Sequence, residues 1–268
     1  MRRLTTNLTA LFILTSTASI AYAEDNEKNL AMQLANPIAS LISVPIQANY
    51  DEGFGPEHKD GKKWQINVQP VIPFSISEDW NLISRTIVPL IDMNEMPGIG
   101  SESGVGDITQ SLFFSPKAPT AGGLIWGVGP VLLLPTASKD ALGGEKWGVG
   151  PTGVVLKQEG AWTIGMLANH IESFAGADGR SDVSATYLQP FASYVTSTKT
   201  TFVLNTESTY NWETKEWTVP INFTVAQLFK VGTQIMQAGA GGRYWAETTD
   251  GSADDWGLRF QLTFLFPK

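Results

Sequence analysis

The chain has 268 residues, a formal net charge of −8 and no cysteine. The missing cysteines exclude thiol chemistry, disulfides and Cys-ligated metals, and the acidic balance argues against a nucleic-acid partner, which needs a basic face. Hydrophobic residues make up 43% of the chain, yet mean hydropathy is only −0.04, as strict alternation of apolar and polar positions would give.

Residues 1–23 read as a secretory signal peptide: Arg2 and Arg3, an apolar stretch from Leu8 to Ile20, then the small-x-small site Ala21-Tyr22-Ala23. Cleavage before Glu24 leaves 268 − 23 = 245 residues, and loss of the two arginines takes the charge from −8 to −10. No other run approaches the ~20 apolar residues of a membrane helix. Glu24 to Asn36 is a periplasmic N-terminal segment, read either as one or two turns of amphipathic helix tucked into a barrel mouth or as a frayed terminus.

From Pro37 the chain alternates strand, long loop, strand, short turn. The strands run Ile38–Tyr50, Trp64–Ser77, Trp80–Ile91, Asp107–Ser115, Leu124–Pro135 and Trp147–Lys157. They continue through Trp162–Phe174, Val183–Thr196, Thr200–Trp212, Glu216–Leu228, a strand ending at Trp245, and one opening at Trp256. Asp51–Lys63, Asp92–Gly106, Thr136–Lys146, Ala175–Asp182 and Glu247–Asp255 are long polar loops, whereas Glu78-Asp79 and Gln158-Glu159-Gly160 are tight turns.

The last strand shows the design. Trp256, Leu258, Phe260, Leu262, Phe264 and Phe266 share one parity; Gly257, Arg259, Gln261 and Thr263 share the other, broken by Leu265. Such a strand faces its apolar stripe either to a soluble core or to lipid. Segments of ~10 residues, alternating loop lengths and Trp at strand ends favour lipid. Trp64, Trp147, Trp212, Trp217, Trp245 and Trp256 flank the outer loops, and Trp80 and Trp162 flank the periplasmic turns, as two aromatic girdles. The expected fold is all-β: a transmembrane antiparallel up-and-down β-barrel of about twelve strands over residues 37–268, in the outer membrane of a Gram-negative bacterium.

Pro45, Pro70, Pro73, Pro89, Pro130, Pro151, Pro190 and Pro220 fall inside these strands. Proline cannot donate to a ladder, so each marks a bulge, kink or break. They set curvature, or they leave an unpaired stretch of wall that an apolar solute crosses sideways. The repeat Gly127-Val128-Gly129-Pro130 and Gly148-Val149-Gly150-Pro151 makes Gly129, Pro130, Gly150 and Pro151 the candidate lateral opening.

Charges inside spans carry information, because a lipid-facing Arg or Lys costs ~2–4 kcal/mol near the midplane. Parity turns Arg259 and Gln261 to the lumen. It does the same for Glu207 with Asn205, and less clearly for Arg85, which shares its face with Ile83 and Ile87. These five are the candidate constriction, read also as an internal network that fills the bore. Lys157 and Arg243 lie near strand ends and are read as snorkelling. Of the two histidines, His58 sits in a charged loop. His170 and Ser173 are three apart and so on opposite strand faces, which argues against a Ser–His pair. No Gly-x-Ser-x-Gly or His-Glu-x-x-His run occurs, so no catalytic residue, metal or cofactor is expected.

The runs Asn67-Val68-Gln69-Pro70-Val71-Ile72-Pro73, Ser111-Leu112-Phe113-Phe114-Ser115-Pro116-Lys117, Trp126-Gly127-Val128-Gly129-Pro130, Gly150-Pro151-Thr152-Gly153, Leu188-Gln189-Pro190-Phe191 and Asn205-Thr206-Glu207-Ser208 resemble the MetA-pathway phenol-degradation family of outer-membrane barrels. The resemblance covers nearly all of the mature chain. It implies a transmembrane barrel that takes up small, in part aromatic, solutes, and it brings no binding residues. The partners that follow are outer-membrane lipid and lipopolysaccharide, a small-molecule solute and the barrel-insertion machinery. The alternatives are a plugged structural or adhesive barrel and, behind it, a lipid-modifying enzyme. The chain departs from the common terminal aromatic by ending Phe266-Pro267-Lys268.

Overall fold

The computed structural model describes residues 28–55, 60–254 and 256–267. The signal peptide, residues 24–27 and His58 lie outside the described residues. The described strands are β1 (Ile42–Phe54), β2 (Gly61–Val68), β3 (Val71–Ser75), β4 (Trp80–Met96), β5 (Gly100–Val105), β6 (Ile108–Pro116), β7 (Leu124–Leu134) and β8 (Lys146–Glu159). They continue with β9 (Trp162–Gly176), β10 (Ser184–Val195), β11 (Thr200–Thr206), β12 (Ser208–Asn211), β13 (Glu216–Val231), β14 (Gln234–Glu247) and β15 (Trp256–Phe266).

The fifteen segments build twelve wall strands, because β2/β3, β5/β6 and β11/β12 are each one interrupted strand sharing neighbours. All pairings are antiparallel and sequential, and β15 closes on β1. Closure leaves no edge strand and gives every wall strand two neighbours.

The outer face is apolar. Phe74, Ile164, Leu204, Phe223, Leu258 and Phe260 point outward and are all exposed. A water-soluble surface would not carry such a continuous band, and a bilayer requires one. On β15 the expected parity holds: Leu258 and Phe260 are exposed, whereas Gly257, Arg259 and Thr263 are buried inside. Leu265, the residue that broke the pattern, is 1% exposed because it packs inward against the N-terminal segment.

That segment changes the interior. Residues 28–34 are helical, and the chain then turns before entering β1. Ala31, Ala39 and Leu41 pack against Val195, Leu228 and Leu265, and Ile38 packs with Ile83, Phe113, Leu156 and Leu167. The hydrophobic core therefore lies inside the barrel, at the end with the short turns. The first strand begins at Ile42 rather than Ile38, since residues 38–41 belong to this insert. The Gln158 amide donates to the Met32 carbonyl at 2.7 Å, and the Asn81 amide donates to Ser40 Oγ at 2.8 Å.

The expected loop Asp92–Gly106 is instead a β-hairpin, with Asp92 opposite Ser103. Glu95, Gly98 and Gly100 adopt positive φ and make the turn. Its side chains are mostly polar on both faces, which hides a strand from a periodicity reading.

Prolines sit where the ladder breaks. Pro70 separates β2 from β3, and the β5/β6 break lies opposite Pro89. Pro220 lies at a register shift against β14.

Candidate functional site in the barrel lumen

Inward-facing polar side chains of β1, β11–β15 and β4 form a layer across the bore. Arg259 Nη1 and Nη2 donate to Glu207 Oε1 and Oε2 at 2.9 and 2.7 Å, and its Nε donates to Asn49 Oδ1 at 2.8 Å. Arg243 Nη1 donates to Asp51 Oδ2 at 3.2 Å, and its Nη2 lies 3.8 Å from Glu207. The Trp245 indole donates to Asp51 Oδ1 at 2.9 Å, with the Arg243 guanidinium 4.2 Å over its ring. Planar Arg forks match carboxylates two bonds at a time, so this layer is held in register.

The five expected lumen residues all face inward. Asn205 accepts a hydrogen bond from the Asn222 amide at 2.9 Å, and the Gln261 amide donates to Thr263 Oγ1 at 3.1 Å. Arg85 donates to Gln69 Oε1 at 2.9 Å. Its neighbour Ile83, which blurred the parity, is fully buried inside against the insert rather than facing lipid.

Between this layer and the N-terminal insert lies a cavity of about 200 Å³. Gln69, Arg85, Glu207, Arg259 and Gln261 line it with Val71, Phe191 and Val203, and Ala31 with Gln33 to Pro37 supply its floor. Two features escaped sequence reading. One is Asp51, assigned to a loop although it is 1% exposed inside the barrel. The other is the apolar inner face of β6, β8 and β9, where Phe113, Leu156 and Leu167 are buried.

Of the expected girdle, Trp64, Trp80, Trp147, Trp162, Trp212 and Trp256 are exposed on the outer face. Trp217 is half-buried beside Tyr210, 5.0 Å between ring centroids. Trp245 is a correction: it points into the lumen, on the same parity as Arg243, because its N–H is needed by Asp51. Arg243 likewise does not snorkel but is buried in the layer. Trp126 joins the short-turn girdle, edge-on to Trp80 at 5.9 Å.

At Gly129, Pro130, Gly150 and Pro151 the expectation of an opening meets a tightly packed wall. Pro130 pairs with Pro151, and the ladder is interrupted on their far sides, between Ser111 and Phe114 and between Val149 and Thr152. Yet a Cβ on Gly129 would collide with the Leu112 carbonyl, and one on Gly150 with that of His170. The glycines bring backbones together instead of holding them apart.

His170 lies on the outer face, its Nδ1 2.9 Å from Thr186 Oγ1, whereas Ser173 Oγ bonds Asp182 and the Val183 amide.

No family model matches the chain, and no curated protein matches it. Among solved structures it is similar to the COG4313 outer membrane channel from Pseudomonas putida F1, with 15% identity and a TM-score of 0.67. The match covers 85% of this chain and 96% of that one. The chain has the fold of this outer-membrane channel. The likeness is one of fold. The β domain of the Bordetella autotransporter BrkA covers 84% of the chain and 100% of its own, at 9% identity and a TM-score of 0.46.

Proposed function

We propose that the chain is an outer-membrane channel for passive passage of a small, partly apolar solute, closed at its periplasmic end by the N-terminal segment. The observation that carries this reading is the cavity of about 200 Å³ held between that segment and the Arg259–Glu207 layer, inside a closed barrel. A purely structural barrel has no need of a chamber behind a charged layer. Short turns are periplasmic in outer-membrane barrels, so the segment blocks the inner mouth and the charged layer faces the outer one. The solute enters between the long loops, passes the layer and rests in the chamber. The exposed tryptophans anchor the barrel at the lipid and lipopolysaccharide boundary, and the insertion machinery reads its last strand. No step is catalytic in this reading.

The second reading, a permanently plugged barrel, is favoured by the depth of the insert, since Ala31 is fully buried. Single-channel conductance in planar bilayers separates the two. The mature chain and a variant lacking residues 24–41 are compared after folding is verified by heat-shifted gel mobility. Channel function predicts brief openings for the former and steady conductance for the latter, with ion selectivity shifted by Arg259→Ala. A silent mature chain beside a steadily conducting deletion variant overturns the channel reading and leaves the plugged barrel, and silence of both overturns the channel reading as well.

A further inference from the structure

We infer that the chamber binds a small organic monoanion with an apolar body, of the size of benzoate, its carboxylate on Arg85. The inference shares its chamber with the channel reading above and rests on that reading for its transport meaning. The first observation is the charge of the bore. The whole chain carries −8, but the inward residues of the layer invert that sign. Arg85, Arg243, Arg259 and Lys63, the register partner of Asp51, face only Asp51 and Glu207. The two carboxylates are already claimed: Asp51 by Arg243 and Trp245, Glu207 by Arg259 with Arg243 nearby. A lumen with excess positive charge and low-dielectric walls concentrates anions.

The second observation is Arg85 itself. Its one hydrogen bond goes to the neutral Gln69 amide oxygen, and among the described residues no carboxylate pairs with it. Arg85 lines the chamber, and a planar fork with donors left over is the group that takes a carboxylate. Glu207 lies within electrostatic reach of Arg85 but spends its hydrogen bonds on Arg259, so an anionic solute would supply the direct partner that Arg85 lacks.

The third observation gives the rest of the ligand. Val71, the register partner of Arg85, lines the same chamber with Phe191, Val203 and Ala226. These form an apolar patch in a chamber whose remaining lining is largely amide and hydroxyl, Gln47, Gln189, Thr224 and Gln237 among it. Ser193 also lines the chamber; it is 3% exposed, and its Oγ has no hydrogen-bond partner. A chamber of about 200 Å³ limits the body to one small ring or a short branched chain, since a cavity of ~150 Å³ already holds benzene.

The test is isothermal titration of the folded, detergent-solubilised chain with benzoate, benzyl alcohol and acetate. Benzoate should saturate a single site. Benzyl alcohol lacks the charge and acetate lacks the ring, so each should bind at least about tenfold more weakly, as loss of a charge-assisted bond or of the apolar contact implies. Arg85→Gln should weaken benzoate by about tenfold or more and leave benzyl alcohol nearly unchanged, and Arg85→Lys should recover part of the loss. Equal affinity for benzoate and benzyl alcohol overturns the inference. So does unaltered benzoate binding by folded Arg85→Gln, or absent binding by a correctly folded chain. Benzoate binding without conductance would retain this site and remove the channel reading; conductance without benzoate binding would do the reverse.

Discussion

Arg259 and Glu207 are 52 positions apart and meet in a two-bond clamp, 2.9 and 2.7 Å, across the inside of the barrel. Arg259 is 3% exposed at its side chain and Glu207 16%, so the pair is well removed from water. Glu207 sits in the break between β11 and β12, opposite Pro220, whose carbonyl accepts its N–H at only 3.4 Å. The side-chain clamp fixes a point where the ladder is weak.

Breaking such a pair on one side leaves an uncompensated buried charge, which costs ~3–5 kcal/mol. Glu207→Gln should therefore destabilise the barrel by that order, since Arg259 loses its carboxylate while Arg243 keeps Asp51. The double variant Glu207→Gln/Arg259→Met should lose less than the sum of the two single changes. Urea unfolding in phospholipid vesicles, followed by Trp fluorescence, measures both; additive losses would show that the two residues do not act as a unit.

Trp245 offers a sharper contrast. Its indole N–H serves Asp51, which is 1% exposed, whereas Trp256 lies 65% exposed on the outer face. Trp245→Phe leaves a buried carboxylate short of a donor, a loss of ~1–3 kcal/mol. Trp256→Phe changes only an interfacial ring and should stay within about 0.5 kcal/mol. Equal effects in the same unfolding assay would return Trp245 to the girdle.

The wall was legible in the sequence because lipid enforces period two on nearly every strand, and β15 shows this residue by residue. The interior was less legible. A lumen need not be polar where it is filled, so Ile83 beside Arg85 and Leu265 on β15 broke the pattern for one shared reason, contact with or near the N-terminal insert. That insert is short and amphipathic, and nothing local distinguishes a docked segment from a frayed end. Trp245 lies at a strand end, where a girdle is expected, yet it shares a face with Arg243, and that shared parity is the signal of its inward course. Asp51 was missed because β1 runs on past the bilayer to Phe54, and polar inward residues there look like a loop.

The glycine–proline patch tests the packed-wall geometry. A methyl group on Gly150 meets the His170 carbonyl, and one on Gly129 meets that of Leu112, in each case backbone that cannot rotate away. Gly150→Ala and Gly129→Ala should each cost ~1–3 kcal/mol or prevent folding, as overpacking does. Gly179, with open space around its Cβ position, is the control, and Gly179→Ala should be neutral. The fraction of heat-shifted, folded barrel after refolding reads the difference. Silent substitutions at all three would mean that the wall gapes there.

The insert can be locked. The chain has no cysteine, so Ser40→Cys with Asn81→Cys introduces one unambiguous pair where a 2.8 Å hydrogen bond now joins insert to wall. Oxidation should hold the segment in the bore and suppress openings, and reductant should restore them. Conductance indifferent to the redox state would show that residues 28–41 do not gate.

At the long-loop rim, Lys146 reaches Asp182 at 2.9 Å, and Asp182 Oδ1 also accepts from Ser173, tying the Ala175–Asp182 loop to the wall. The Lys146 hydrogen bond, then its charge, hold the Asp182 carboxyl below the usual carboxylate range, against a smaller opposing effect of desolvation. A depressed acid stabilises its fold above the ordinary value of ~3.9 and loses that contribution as pH falls through the depressed value. Loop protection against hydrogen exchange should therefore be complete near neutral pH and fall only in acid. Lys146→Met should move the Asp182 titration up toward the ordinary range and weaken the loop's acid-sensitive protection. A carbon-detected titration of Asp182 that is unchanged in Lys146→Met would sever the link between the two residues.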